Sequence, residues 1–237
     1  MSNARSRPEP VTLTREMIEA GMVRDLVLQS DRAYPVLSDE ELLASRAETM
    51  AQATSDEIWV FGYGSLIWNP AFHYAERHTG KVHGFHRRFC LWTPVGRGTH
   101  DFPGLMLGLD RGGSCRGVVF RIEASKVESE LEIIWRREMV SGSYAPRWVT
   151  AQTPGGPVRA IAFVINHAHD RYAGLLPEAQ VAGIIAEAEG GLGRCCDYLF
   201  NTVAHLDELG IGDRPLSRLA AQVTERISAR PKKRTGK

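Results

Sequence analysis

A series of short apolar segments rich in β-forming residues occupies the middle of the chain and constrains its fold more than any other feature. The first segment, residues 58–61, reads Ile-Trp-Val-Phe and stops at Gly62. Short apolar runs bounded by turn residues are typical of strands. The further strand candidates lie at residues 86–93, 105–109, 117–122, 147–152 and 158–165. Pro154-Gly155-Gly156 separates the last two and predicts a hairpin turn.

Helical patterns interrupt and follow this series. The sequence predicts one helix from Ser125 to about Met139 and three more in the last third of the chain. The second helix opens at Pro177 and stops at Gly190-Gly191, the next runs from about Cys196 to Leu209, and the last covers Pro215 to about Ser228. A proline in the first turn and a glycine just past the end are typical helix boundaries. Strands in the middle and helices at the end predict one α+β domain.

The N-terminal part reads as a separate extension. Residues 1–10 are polar with two prolines and are predicted to be disordered. A helix is predicted from about Arg15, and Ser38 with Glu41 forms a capping box that opens a short helix through Arg46. The expected division is a disordered and helical extension over residues 1–50, a main domain over 51–228 and a basic disordered tail over 229–237. The extension could cover a pocket, pack on the main domain or bind a partner.

Composition and charge exclude several classes of protein. The 237 residues carry a formal net charge of +1, which gives no global attraction to nucleic acid or to an anionic membrane. No apolar run approaches the roughly 18 residues of a membrane span, and the N-terminus lacks the apolar region of a signal peptide. The four cysteines form no Cys-x-x-Cys pair, and Cys90 and Cys115 are expected in the core. These features predict a cytoplasmic protein that binds neither membrane nor nucleic acid.

Two further groups of residues are possible sites. His73, His78, His83 and His86 lack the spacing of metal ligands on one helix face, so no metal site is predicted. Five of the last eight residues are Lys or Arg, which leaves nucleic-acid binding by the tail as an alternative. A basic terminus is more usually a solvated one.

The turn Gly62-Tyr63-Gly64-Ser65-Leu66 is the first candidate binding site. Glycines two residues apart let another group approach the main chain closely. A tight turn can aim several consecutive N–H groups into one concavity, which suits a carboxylate or a small phosphate. The turn lacks the Gly-Lys-Ser/Thr ending of a nucleotide-binding P-loop. The alternative is a turn that only connects two elements.

The helix predicted at residues 125–139 contains the second candidate. Ser125 and Glu128 read as a capping box that sets the helical phase. Val127, Leu131, Ile134 and Trp135 then form one apolar stripe, and Glu138 falls on this stripe. The other acids, Glu128, Glu130 and Glu132, fall mostly off it.

A carboxylate on a buried stripe is unusual because burial costs several kcal/mol unless the group is paired or protonated. A carboxyl group whose pKa is raised can both accept and donate a proton, as general acid–base catalysis requires. The alternative is that Glu138, near the helix end, reaches solvent or pairs with Arg136, Arg137 or Arg147.

The two candidate segments together resemble the ChaC-type, glutathione-specific γ-glutamylcyclotransferases. The resemblance extends over about residues 57–220 and follows the order of that family. Its motifs here are Trp59-Val-Phe-Gly-Tyr-Gly-Ser-Leu-Ile-Trp-Asn-Pro70, Gly84-Phe-His-Arg-Arg-Phe-Cys-Leu-Trp92, Arg97-Gly-Thr99, Pro103-Gly-Leu105, Gly113-Ser-Cys-Arg-Gly-Val118, Trp135-Arg-Arg-Glu-Met139 with Gly142 and Tyr144, and Tyr198-Leu-Phe-Asn-Thr202.

The resemblance implies an α+β fold built on a small mixed β-barrel surrounded by helices, with a pocket at one end. It implies that Glu138 is the catalytic acid/base. It also implies that the substrate is bound by the turn and by two later tyrosines: Tyr63, Gly64, Ser65, Leu66, Tyr144 and Tyr198. The implied reaction converts glutathione to 5-oxoproline and Cys-Gly without a metal or a cofactor. Two alternatives stay open, a cyclotransferase for other γ-glutamyl compounds and a non-catalytic γ-glutamyl-binding module.

Two positions depart from the family pattern. The spacing from Glu138 to Tyr144 is the longer one of a bacterial-type variant. Leu192 stands where relatives have a hydroxyl in the loop before the C-terminal helix, so the hydrogen bonds of that hydroxyl are not expected here.

Overall fold

Five strands of the computed structural model, which describes residues 12–28 and 35–229, close into a barrel. They are β1 (Trp59–Gly62), β2 (Glu76–Thr93), β3 (Gly104–Arg121), β4 (Tyr144–Thr153) and β5 (Gly156–Ile165). Their order is β1-β3-β2-β4-β5, and β1 closes the barrel because it pairs antiparallel with β3 and parallel with β5. The barrel interior is apolar and fully buried. The predicted α+β barrel fold is confirmed.

The strands β2 and β3 form one long ribbon, and here the prediction was incomplete. Residues 105–109 and 117–122 were predicted as separate strands, yet β3 runs without a break through the polar stretch between them. In the exposed stretch Arg111–Ser114, Ser114 lies opposite His83 and Arg111 opposite Phe85, with a shift of register between the two pairs. An exposed part of a strand needs no apolar alternation, so this stretch has the composition of a loop. The hairpin at Pro154-Gly155 is confirmed, with Thr153 opposite Gly156.

Helices surround the barrel. They are α1 (Arg15–Glu19), α2 (Met22–Leu28), α3 (Asp39–Met50), α4 (Ser65–Trp68), α5 (Val127–Glu138), α6 (Glu178–Glu187), α7 (Cys195–Glu208) and α8 (Arg214–Ser228). Between α6 and α7 a small hairpin pairs β6 (Glu189–Gly190) with β7 (Gly193–Arg194). The three C-terminal helices were predicted close to these bounds. No described helix is long and apolar enough to cross a membrane.

The N-terminal helix was predicted in one piece and is broken in two. Gly21 separates α1 from α2 and adopts a φ of 81°, which favours glycine. The predicted capping box is confirmed, since the Ser38 hydroxyl accepts from the Glu41 amide at 3.1 Å and the Glu41 carboxylate accepts from the Ser38 amide at 2.7 Å. The helix it opens continues to Met50, beyond the predicted Arg46. The predicted disordered ends, residues 1–10 and the tail apart from Ala229, lie outside the described residues.

The capping box predicted at Ser125 and Glu128 is wrong. Residues Ala124–Lys126 form a 3₁₀ turn, and α5 begins after it at Val127. The Ser125 hydroxyl instead donates to the Glu123 carboxylate at 2.9 Å. The phase of α5 is nevertheless the predicted one, because Leu131, Ile134 and Trp135 are buried together.

Glu130 was placed mostly off the buried stripe, yet only 2% of its surface is exposed. The Glu130 carboxylate accepts hydrogen bonds from the Arg15 guanidinium of α1 and from the His73 amide, the latter at 2.9 Å. Burial by itself would raise the pKa of Glu130, but these hydrogen bonds lower it below its usual range. The N-terminal helices therefore pack on the face of α5 that carries Glu130.

A cluster around Asp110 supports a prediction about stability. The Asp110 carboxylate accepts from Arg88 at 2.7 Å and from the Tyr172 hydroxyl at 3.1 Å, and it lies 2.6 Å from His167. Burial would raise the pKa of Asp110, but the hydrogen bonds from His167 and Arg88 lower it to about 2. A carboxyl whose pKa is depressed by folding adds stability above its unfolded pKa and loses it as the pH falls through the folded value.

We therefore expect Asp110→Asn to lower the free energy of unfolding by about 1–3 kcal/mol near neutral pH. The difference from the unmodified protein should shrink as the pH falls from about 4 to about 2. Urea unfolding at several pH values measures it. The exposed Asp101, paired only with His100, supplies the control Asp101→Asn, which should change little. A difference that stays constant with pH would contradict the assignment.

Candidate active site

All seven predicted site residues line one pocket at the end of the barrel where β1 stops. Its cavity volume is about 250 Å³, and its walls come from the barrel, α5, α7 and the N-terminal helices. The seven are Tyr63, Gly64, Ser65, Leu66, Glu138, Tyr144 and Tyr198. Residues separated by up to 135 positions in sequence are thus brought to a single small cavity.

The barrel holds the glycine turn in place through hydrogen bonds from two of its strands. Strand β1 is paired on both sides, and the chain leaves it at Gly62 to enter α4 at Ser65. The Tyr63 hydroxyl donates to the Phe163 carbonyl at 2.8 Å, and the Tyr63 carbonyl accepts from buried Arg87 at 2.8 Å. Burial raises the pKa of the Tyr63 hydroxyl well above its usual value. Tyr63 therefore anchors the turn to the sheet with a neutral hydroxyl.

Gly64 and Tyr198 are in close contact across the pocket wall. A Cβ atom at position 64 would lie 2.8 Å from the Tyr198 hydroxyl oxygen. The Tyr198 ring is held edge-on by Trp68 and Phe89, with ring centroids 6.1 and 6.0 Å away. Because the ring cannot swing freely, this position accepts only glycine without displacement of the tyrosine.

Glu138 is the last residue of α5 and points into the pocket with 14% of its side chain exposed. Burial raises the pKa of the Glu138 carboxyl, and the neighbouring Arg137 opposes this without cancelling it. The alternative that Glu138 pairs with a neighbouring arginine is partly correct, because Glu138 Oε1 lies 3.1 Å from Arg137 Nε. Arg136 is not the partner, since it pairs with Glu132 at 2.8 Å. Glu138 is thus both paired and accessible to a ligand.

Arg137 is a pocket residue that sequence reasoning considered only as a pairing partner. Its buried guanidinium donates to the Ser65 hydroxyl at 2.9 Å and to the carbonyls of Asn69 and Pro70. Together with its contact to Glu138, these bonds tie the end of α5 to the glycine turn. Since the Ser65 hydroxyl accepts from Arg137, its own hydrogen is available for a ligand.

Tyr144 and two serines complete the polar side of the pocket. The Tyr144 hydroxyl donates to the Leu107 carbonyl at 2.7 Å, and burial raises its pKa well above the usual value. Ser141 and Ser143 are buried with their hydroxyl oxygens 2.9 Å apart, and both line the pocket. Short serine-containing turns carry no distinctive signal, so the sequence did not single them out.

The opposite side of the pocket is apolar. The N-terminal segment contributes to it: α2 and the residues just before α1 form part of the pocket wall, and both α1 and α2 pack on α5. The side chains from this segment are Leu13, Val23, Leu26 and Val27. Leu192 also lines the pocket and packs on Gly96, so at this position the chain offers a hydrocarbon surface.

The cysteines lie in the core, whereas His73, His78 and His83 are exposed. All four cysteines are buried, and burial raises the pKa of Cys90 and of Cys195 to about 12, which confirms Cys90 and Cys115 as core residues. Within residues 12–28 and 35–229, no three His, Cys, Asp or Glu side chains gather as they would around a metal ion.

Comparison with known proteins identifies the family of the chain. The model of the ChaC-like protein family matches residues 58–226. The chain is 39% identical over 193 residues to a glutathione-specific γ-glutamylcyclotransferase of Escherichia coli (strain K12), covering 81% of this chain and 84% of that protein. It is 35% identical over 147 residues to glutathione-specific γ-glutamylcyclotransferase 1 of Mus musculus, covering 60% of this chain and 66% of the relative.

Similarity to solved structures supports the fold. A crystal structure of a glutathione-specific γ-glutamylcyclotransferase from yeast superposes with a TM-score of 0.66 at 22% identity, covering 72% of this chain and 97% of the yeast chain. The motif order, the barrel and the match of the family model over most of the chain lead to one conclusion: this chain belongs to the ChaC-like protein family.

Proposed function

We propose that this protein is a γ-glutamylcyclotransferase that converts glutathione to 5-oxoproline and Cys-Gly. The observation that carries the proposal is the position of Glu138, a carboxyl with a raised pKa that shares one small pocket with the glycine turn. The names of the similar bacterial and mouse proteins support glutathione as the substrate.

The reaction needs the γ-glutamyl chain to fold back on itself. The free α-amine attacks the side-chain carbonyl carbon, a five-membered lactam forms, and the amide bond to cysteine breaks. Holding the chain in this geometry is an entropic task that a closely fitting pocket performs. In this proposal the amides of the turn and the Ser65 hydroxyl bind the α-carboxylate or the oxygen that gains charge, which is supported by the place of these residues in the pocket lining. Tyr144 and Tyr198 close the pocket around the reacting segment.

Glu138 carries the proton in this proposal. It removes a proton from the attacking amine and later gives a proton to the departing cysteine nitrogen, so no net proton is consumed. A raised pKa suits both steps, because the carboxylate is a stronger base and the acid remains populated at higher pH. Arg137 keeps the carboxylate oriented through its 3.1 Å contact.

The pKa shift predicts the pH dependence of the reaction. The basic form of Glu138 is lost as the pH falls through its raised pKa, so kcat/KM should decrease on the acid side. The apparent pKa of that limb should lie above the roughly 4.3 of a free glutamate. A profile of kcat/KM measured between about pH 4 and pH 8 tests this. A rate that stays flat across this interval would argue against Glu138 as the base.

The direct experiment is incubation of the purified protein with glutathione while 5-oxoproline and Cys-Gly are both assayed. Equal release of the two products supports the proposal. Release of 5-oxoproline from other γ-glutamyl amino acids or amines with a higher kcat/KM would favour the cyclotransferase of different specificity. Tight binding of glutathione without any 5-oxoproline would favour the non-catalytic binding module.

The wider assignments follow from the same reasoning. We propose residues 51–228 as the catalytic domain, which includes the region matched by the family model, and residues 1–50 as an extension from which α2 contributes to the pocket wall. A cytoplasmic location is supported by four buried cysteines that remain thiols, as expected in a reducing compartment.

A further inference from the structure

Arg97 is a buried cation in the pocket wall that the mechanism above does not use. Only 8% of its surface is exposed, and its side chain lines the cavity. The one hydrogen bond that its side chain makes among the described residues runs from a guanidinium nitrogen to the Arg194 carbonyl at 3.2 Å. No carboxylate of residues 12–28 or 35–229 lies within 4 Å of it. Burial lowers its pKa, and the more distant Asp197 offsets this only in part.

A buried guanidinium without a carboxylate partner is costly unless a ligand supplies one. The guanidinium has five N–H donors, and the bond to Arg194 uses one of them. Among the described residues, only Arg87 has side-chain nitrogens that are fully buried without a partner, so the remaining Arg97 nitrogens are accessible. Because Arg97 lines the cavity, these donors are open to a ligand there. This geometry fits the planar, two-pronged recognition of a carboxylate.

The place of Arg97 in the fold selects which substrate carboxylate it meets. Arg194, which Arg97 contacts, is the N-cap of α7, and Tyr198 follows one turn later, a rise of about 6 Å. The Tyr198 hydroxyl is the atom that meets Gly64 of the turn. The Tyr198 hydroxyl is close enough to both Glu138 and Arg97 for their charges to act on its pKa, whereas the pKa of Glu138 is affected by Arg137 and not by Arg97. Arg97 is thus displaced from Glu138 and lies near Tyr198.

Glutathione has two carboxylates at different distances from the bond that breaks. The α-carboxylate is carried on the atom that bears the attacking amine, so it stays beside the turn and Glu138. The terminal carboxylate lies at the end of the two-residue Cys-Gly segment, about 7 Å from the scissile bond when extended. The displacement of Arg97 matches the distant carboxylate.

We propose that Arg97 binds the C-terminal carboxylate of the leaving dipeptide and is a specificity-determining residue. This inference rests on the proposed function. It explains how the site would prefer an acidic γ-glutamyl peptide over γ-glutamyl amines, which lack that carboxylate.

The test compares glutathione with its C-terminal carboxamide. In the unmodified protein, kcat/KM should fall roughly 10- to 100-fold on amidation, the usual worth of a hydrogen bond to a charged group. Arg97→Met should lose a similar factor on glutathione and should no longer discriminate between the two substrates. Arg97→Lys keeps the positive charge but lacks the two-pronged guanidinium. Its ratio of kcat/KM for glutathione to kcat/KM for the carboxamide should therefore be intermediate.

The pocket offers a matched control. Arg171 also lines the cavity, and it donates to the Trp92 carbonyl at 2.7 Å and to Ser141. Arg171→Met should retain the discrimination against the carboxamide. The proposal is overturned if Arg171→Met abolishes that discrimination and Arg97→Met keeps it. It is equally overturned if Arg97→Met weakens both substrates by the same factor, which is the result expected of an α-carboxylate contact or of a structural role.

Binding separates this inference from the proposed reaction. In a Glu138→Gln background, calorimetry gives the Kd of glutathione and of its carboxamide without turnover. The ratio of the two Kd values should collapse toward one when Arg97 is replaced. Thermal unfolding shows whether each variant is folded. If Arg97→Met is unstable, the Kd ratio is taken from the milder Arg97→Lys instead. If no substrate yields 5-oxoproline, the proposed cyclotransferase reaction is contradicted. The Kd ratio would still show whether Arg97 binds the C-terminal carboxylate.

Discussion

Replacing Glu138 with glutamine is expected to lower kcat for glutathione by about 10²- to 10⁴-fold, the range for loss of a general acid or base. The amide has the size of the carboxyl and can still accept from Arg137, but it cannot exchange a proton at neutral pH. Glutathione should therefore still bind, with a Kd that changes by no more than a few-fold. Initial rates of 5-oxoproline release together with calorimetry separate the two effects.

The helix that carries Glu138 offers its own control. Glu132 lies on the exposed side of α5, with 47% of its side chain exposed and paired to Arg136. Glu132→Gln removes the same charge from the same helix and should leave kcat and KM within about twofold. Near-normal turnover of Glu138→Gln would remove Glu138 from the mechanism. An equal loss in both variants would point to a general effect of charge on α5.

Gly64→Ala is expected to produce the second large effect, a loss of roughly 100-fold or more in kcat/KM. The new methyl group would lie 2.8 Å from the Tyr198 hydroxyl, so either the tyrosine or the turn must move. Tyr198 is 3% exposed and held by two aromatic rings, which makes its displacement expensive. Steady-state kinetics on glutathione and thermal unfolding measure the two consequences.

A second substitution tests the steric cause. Tyr198→Phe removes the oxygen that the methyl group would meet, so Gly64→Ala combined with Tyr198→Phe should be more active than the two separate losses predict. Gly183→Ala in α6 is the control, because its added methyl meets nothing closer than 3.9 Å. It should stabilise the helix slightly. Unaltered kinetics in Gly64→Ala would show that the turn is not part of the substrate site.

Local patterns in the sequence predicted most of the elements. The apolar segments marked the strands, the proline and glycines marked the C-terminal helices, and the phase of α5 placed Glu138 on the buried side. The errors have physical causes of their own. Arg111–Ser114 look like a loop because exposed strands need no apolar residues. Ser125 was assigned as a cap because several short hydrogen-bonding patterns share the same residue types.

Glu130 shows most clearly where local reasoning stops. Its burial depends on Arg15, 115 positions away, which helical periodicity cannot reveal. The polar face of α5 is an ordinary solvent face until α1 docks on it. The contact of Arg137 with Ser65 and the contact of Arg97 with the N-cap of α7 depend in the same way on distant elements.

The sequence alone determined that a glycine turn follows the first strand and that an acid occupies the buried stripe of a helix, because both depend on neighbours within about two helical turns. The motif order added the family resemblance. Only the tertiary structure decided that Glu138 and the turn share a cavity, that Arg137 joins them, and that α2 forms part of the cavity wall. These facts depend on how the barrel closes and which surfaces it presents, and closure is a property of strand pairing over the whole chain rather than of any local segment.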